Sequence, residues 1–168
     1  MKMANALTVT TPSDLEIVMT RTFDAPRRLV WDAMTRPELV RRWLYAPEGW
    51  EMTTCEMDVR VGGRFRWAWN GPDGTPAMTI AGVNREVSPP HRVVHTQTMR
   101  MGGDDAPPLG ELVATLELTE QDERTTTLRM TLVFNSKQER DGALQSGMER
   151  GVGAGYEKLD TVLASMRK

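Results

Sequence analysis

The sequence predicts an α+β domain: a curved antiparallel sheet of six or seven strands closed around one long C-terminal helix, with two short helices after the first strand. Three observations carry this prediction. A strand-like alternation at residues 14–23 runs straight into two short segments of helical spacing. Six further strand-like segments, separated by turn signals, fill residues 50–134. A helical stretch then runs from Ser136 to about Met166. A sheet with one apolar face and a single long helix to cover it buries that face by curling around the helix.

Each element has a local cause. Residues 14–23 place Leu15, Ile17 and Met19 on one side of a strand. Asp24 offers a cap and Pro26 suits a first helical turn, with Leu29, Val30, Ala33 and Met34 as the apolar face. Pro37 opens the second helix, with Leu39, Val40, Trp43 and Leu44 inward, and Ala46-Pro47-Glu48-Gly49 ends it. Strands follow at 50–60, 64–69, 77–87, 91–101, 112–118 and 128–134. Gly62-Gly63, Asn70-Gly71-Pro72-Asp73-Gly74 and Ser88-Pro89-Pro90 supply three of the turns between them. Ser136-Lys137-Gln138-Glu139 is a capping box, in which the Ser oxygen takes one free backbone N–H and the Glu reaches back to another. Leu144, Met148, Val152, Leu159, Val162, Leu163 and Met166 mark the buried side of the helix it opens.

The 168 residues fit one domain, read as 13–168 after a flexible N-terminal tail of 1–12. The net charge of -2 arises from near-equal opposite charges, so nothing draws the chain to nucleic acid or an anionic membrane. No apolar run is long enough to span a bilayer. The single cysteine, Cys55, rules out an internal disulfide and suits a reducing cytoplasm. It has no histidine beside it and reads as a structural thiol. Two histidines and one cysteine, scattered, make no metal site. No phosphate loop, serine-nucleophile elbow or dinucleotide fingerprint is present, and no cofactor is expected.

The most informative cluster is aromatic. All five tryptophans fall between residues 31 and 69. Phe65, Trp67 and Trp69 alternate with Arg64 and Arg66, so one strand face is aromatic and the other basic. That aromatic face either completes a solid core or lines a cavity. Trp43 and Trp50 flank the loop at its mouth, as a lid or as ordinary packing. His95 and Gln97 share the inward face of their strand, where buried polar groups need partners. They bind the polar end of a ligand or serve the structure. His95 is the one plausible general base if the protein is an enzyme. Gly147, Gly151 and Gly155 recur every four residues, a smooth stripe that leaves room for a ligand or lets the helix approach its neighbours. Tyr156 turns its hydroxyl to the cavity or to solvent. Asp58 and Glu86 are carboxylates that an inward orientation would matter for.

Taken in order, Phe23-Asp24-Ala25-Pro26, Val30-Trp31-Asp32-Ala33, Arg42-Trp43, Gly49-Trp50, Val61-Gly62-Gly63-Arg64-Phe65-Arg66 and Pro89-Pro90-His91-Arg92-Val93-Val94 form a specific series. With Gly147-Met148-Glu149, Gly151 and Leu159-Asp160, they resemble the activator of Hsp90 ATPase homologue family within the START-like (helix-grip) SRPBCC superfamily. The resemblance spans roughly residues 15–167. It implies a deep cavity between sheet and long helix, often for an apolar or amphipathic ligand, and it does not imply one reaction. Two positions depart from the pattern: Arg36 replaces the acidic cap before the second helix, and Gln97 replaces an aromatic residue on the fifth strand. Relatives' ligands therefore do not carry over.

The expected lining is Trp43, Trp50, Phe65, Trp67, Trp69, Met78, His95, Gln97, Met99, Met130, Met148, Gly151 and Tyr156. The leading function is binding of an apolar or amphipathic small molecule. The alternatives are an enzyme of cyclase, hydrolase or dehydratase type using His95, and a partner of an Hsp90-type chaperone as the family name suggests. Relatives often pair, so a homodimer is a further expectation.

Overall fold

The computed structural model describes residues 5–167. Its order is β1 (Thr8–Thr10), β2 (Glu16–Phe23), α1 (Arg27–Thr35), α2 (Pro37–Trp43), β3 (Glu51–Met57), β4 (Arg64–Asn70), β5 (Pro76–Ser88), β6 (Arg92–Arg100), β7 (Pro108–Asp122), β8 (Thr125–Val133), α3 (Lys137–Gln145) and α4 (Met148–Met166). All strands join one antiparallel sheet in the order β1-β2-β8-β7-β6-β5-β4-β3. From β3 onward the chain is a meander. β2 sits beside β8, so α1 and α2 must carry the chain from that end of the sheet to the opposite edge at β3. The crossing places both helices over the same apolar face that α4 covers. Bulges between Met52 and Thr54, Asn84 and Glu86, and Thr98 and Arg100 interrupt the ladder, and such interruptions bend and twist strands.

The core forms where α4 meets the sheet and the two short helices. Tyr156, Leu159, Val162 and Leu163 pack with Phe23, Val30, Trp31, Val40, Trp43, Leu116, Leu118 and Leu128. A second cluster under β2, β7 and β8 unites Ile17, Met19, Ala114, Leu132 and Phe134 with Leu144 and Met148. Trp43 satisfies its indole by donating Nε1–H to the Ala33 carbonyl at 2.9 Å, which locks α2 onto α1.

Four sequence expectations change. The C-terminal helix is two helices, because Gly147 adopts φ 88°, a left-handed conformation that cannot continue an α-helix. The capping box does open α3, with Ser136 Oγ accepting from the Glu139 N–H at 3.1 Å. Glu139 returns to the Ser136 hydroxyl rather than to a backbone N–H. α1 is capped by Pro26 without a side-chain bond, and the Asp24 carboxylate instead accepts from Asn5 Nδ2. The expected tail contributes β1, paired with β2 through Val9 and Met19, which brings the sheet to eight strands; residues 1–4 lie outside the described residues.

Candidate functional site

A cavity of about 330 Å³ opens between the inward face of the sheet, α2 and α4. Strand alternation supplies one wall. β4 contributes Phe65, Trp67 and Trp69, while Arg64 and Arg66 face away, Arg66 toward Asp104. Met78 and Ile80 follow from β5, then His95, Gln97 and Met99 from β6, and Met130 from β8. The opposite wall is Trp43 from α2 with Met148, Gly151, Val152 and Tyr156 from α4.

Every residue of the expected lining therefore borders this space except Trp50. That side chain sits in the turn ahead of β3, where its backbone N–H bonds to the Pro47 carbonyl. From the same loop, Tyr45 borders the cavity instead, its ring beside the bare Gly151 backbone of α4. A β-carbon placed on Gly151 would stand 3.3 Å from that ring, and one on Gly155 would stand 3.1 Å from the Trp43 carbonyl. The glycine stripe thus does both things open to it: Gly151 and Gly155 border the cavity, and they admit the loop after α2. Tyr45 and Asn84 border the space without having been singled out in the sequence, and Met34, read there only as part of a helix's apolar face, borders it too. Asn84 had a usable signal, a polar residue on the apolar face of its strand.

The electrostatics are simple. Among the described residues, no Asp, Glu, Lys or Arg lines the cavity. Asp58 and Glu86 lie outside it, paired with Arg60 and Arg92. His95 packs its ring edge-on against Phe65 at 4.7 Å between centroids. Its Nδ1 lies 2.9 Å from the Thr96 carbonyl, which can only accept, so Nδ1 carries the proton. Burial pushes the His95 pKa below the ordinary histidine value, only partly opposed by that hydrogen bond. The neutral ring then presents Nε2 as an acceptor with no partner among the described residues. The Gln97 amide likewise has no hydrogen bond there, and the Tyr156 hydroxyl has none either, although the nearby Arg21 charge acts on it. Asn84 uses its amide N–H on the Asp58 carbonyl. Trp67 Nε1–H is fully buried and unbonded. Burial raises the Tyr156 pKa, so it stays a phenol. Cys55 lies near the Pro37 carbonyl with its thiol pKa raised by burial, which fits a structural role. Among the described residues no group of His, Cys, Asp and Glu is placed to hold a metal ion, and no helix is long and apolar enough to cross a membrane.

Comparison with known proteins places this architecture. The sequence matches the family described as "Activator of Hsp90 ATPase homolog 1-like protein" over residues 24–164. A crystal structure of a Rhodobacter sphaeroides protein is similar at 30% identity and TM-score 0.85, over 95% of this chain and 99% of that one. A solution structure from Arthrobacter aurescens (24% identity, TM-score 0.80, 94% and 91% coverage) shares the fold. So does a crystal structure from Mycobacterium smegmatis (22% identity, TM-score 0.79, 95% and 99% coverage). No curated protein matches. With a START-like sheet gripping its last helix, and with the family matched from Asp24 to Ala164, the chain belongs to the activator of Hsp90 ATPase homologue 1-like family, of SRPBCC type.

Proposed function

We propose that this protein binds a small apolar or amphipathic molecule in the cavity between the sheet and α4. One observation carries the reading: a space of about 330 Å³ walled by aromatic and methionine side chains, with a few unpartnered polar groups and no charge. Concave apolar sites with a few polar groups that fix orientation are the usual form of small-molecule pockets.

The test is titration with fatty acids, flavonoids and polycyclic aromatics, followed by tryptophan emission. Trp43, Trp67 and Trp69 border the cavity whereas Trp31 and Trp50 do not, so a bound molecule perturbs a defined subset. A saturable change that is diminished in folded Trp67→Ala supports binding. No saturable response to any class removes the proposal.

One observation favours a second reading, an enzyme of cyclase, hydrolase or dehydratase type: the free Nε2 of His95 is a base within the cavity. No carboxylate lines the space to act as the complementary acid. Turnover of any bound molecule, lost in His95→Phe, would establish this reading over simple binding.

A further inference from the structure

We propose that the molecule this cavity selects is uncharged and carries a hydroxyl group, whose O–H donates to Nε2 of His95 while its oxygen accepts from the Gln97 amide. This rests on the binding reading above and names the ligand class for it.

The direction of the first hydrogen bond follows from the second nitrogen of the same ring. The Thr96 carbonyl 2.9 Å from Nδ1 holds the proton there, so the nitrogen left free can only accept. A ligand group that only accepts, such as an ether, ketone or carboxylate, has nothing to offer it. Gln97 stands two residues along the same strand face, so its amide reaches the neighbourhood of the same ligand atom. A hydroxyl is the smallest group that donates to one and accepts from the other. The Phe65 ring of the same aromatic wall lies 4.8 Å from Trp67 and 4.7 Å from His95.

Charge is excluded by what is missing from the lining. A carboxylate entering the space would meet no lysine or arginine, and an ammonium no aspartate or glutamate. Either would lose its hydration without compensation. Burial also disfavours the imidazolium that could otherwise pair with an anion.

Four naphthalenes of nearly the same size separate these features: 2-naphthol, 2-methoxynaphthalene, naphthalene and 2-naphthoate, each titrated by calorimetry at pH 7.5. 2-Naphthol is expected to bind most tightly, with 2-naphthoate weakest. Methylation keeps the oxygen and removes the donor. It should cost about two- to thirteen-fold in affinity, the worth of one net hydrogen bond. In His95→Phe the advantage of naphthol over its methyl ether should vanish. This comparison within the wild-type protein stands whether or not the variant folds. If the methyl ether or naphthalene binds as tightly as naphthol, or if naphthoate binds best, the hydroxyl assignment falls and the binding reading survives. If none of the four saturates, the hydroxyl assignment falls, and the binding reading is decided by the fatty-acid and flavonoid titrations above.

Discussion

Arg21 of β2 grips Asp160 of α4 with both guanidinium nitrogens, at 2.8 and 2.7 Å from the two carboxylate oxygens. The arginine side chain is only 5% exposed and also lies over the Phe23 ring. The aspartate keeps 41% of its side-chain surface in solvent. The pair clamps the last helix to the second strand, beside the core cluster that α4 forms. Removing the aspartate leaves a buried guanidinium without its anion, a costlier change than losing a surface pair. Asp160→Ala should therefore lower the unfolding free energy by about 2–3 kcal/mol. Replacing both partners, Arg21→Met with Asp160→Leu, should recover most of that loss. Urea midpoints measure both, and a single variant within about 0.5 kcal/mol of wild type would mean that the pair is not a clamp.

Gly142 and Gly147 predict opposite outcomes for the same substitution. Gly142 lies within α3 and a β-carbon there would meet nothing within 4 Å. Alanine should stabilise the protein by about 0.5–1 kcal/mol through helix propensity and a less flexible unfolded chain. At Gly147 the space is equally open, but φ is 88°. Alanine there must adopt the left-handed region at a cost of about 1–2 kcal/mol. Thermal denaturation should move in opposite directions for the two. A stabilising Gly147→Ala would instead mean that α3 and α4 join as one helix.

That contrast shows where the sequence stopped being legible. Strand alternation is periodic and local, so the aromatic face of β4 and the inward His95 and Gln97 of β6 were readable residue by residue. The capping box at Ser136 was readable for the same reason: it needs only four consecutive residues. The break at Gly147 was not, since a glycine is equally compatible with a helix interior and with a left-handed turn. Tertiary packing decides which it becomes. Tyr45 was invisible as a neighbour of the cavity because its place depends on Gly151, more than a hundred positions away. Trp50 erred the other way. Its chemistry suits a lid, but the turn before β3 points it out of the cavity wall. The Thr8–Thr10 strand is only three residues long and half exposed, too short for a periodic signal.

His95 sets a pH dependence with a defined sign. Its ring faces Phe65 and the Thr96 carbonyl, and no acidic or basic side chain lines the cavity beside it. Burial lowers its pKa in the folded state relative to about 6.5 in the unfolded chain. Above about pH 6.5 both states are neutral and the group contributes nothing to the pH dependence. As pH falls below that, the unfolded chain takes up the proton first, so stability declines until the folded-state pKa is passed and then levels off. Urea denaturation between pH 8 and 5 should show this decline in wild type and a flatter profile in His95→Gln. Equal slopes in the two proteins would mean that the ring titrates as freely folded as unfolded.

Tyr45 and Gly151 meet at the border of the cavity, and substitutions there test whether ligand enters between them. Tyr45 is 37% exposed as a residue; its ring lies beside the Gly151 backbone of α4 and has the Lys158 ammonium 5.9 Å from its centroid. Tyr45→Ala should remove this cover while leaving the Phe65, Trp67 and Trp69 wall in place. Ligand association and dissociation should then both accelerate, by a similar factor, with the dissociation constant changed less than either rate. Gly151→Val acts from the other side: its β-carbon alone would stand 3.3 Å from the ring, and the two methyls beyond it leave the ring no room to dock. It should reproduce the faster kinetics. Stopped-flow tryptophan emission with a ligand identified by the titrations above reads both rates. Unchanged rates in both variants would place the entrance elsewhere, and a loss of affinity carried by dissociation alone would make Tyr45 a contact with the ligand rather than its cover.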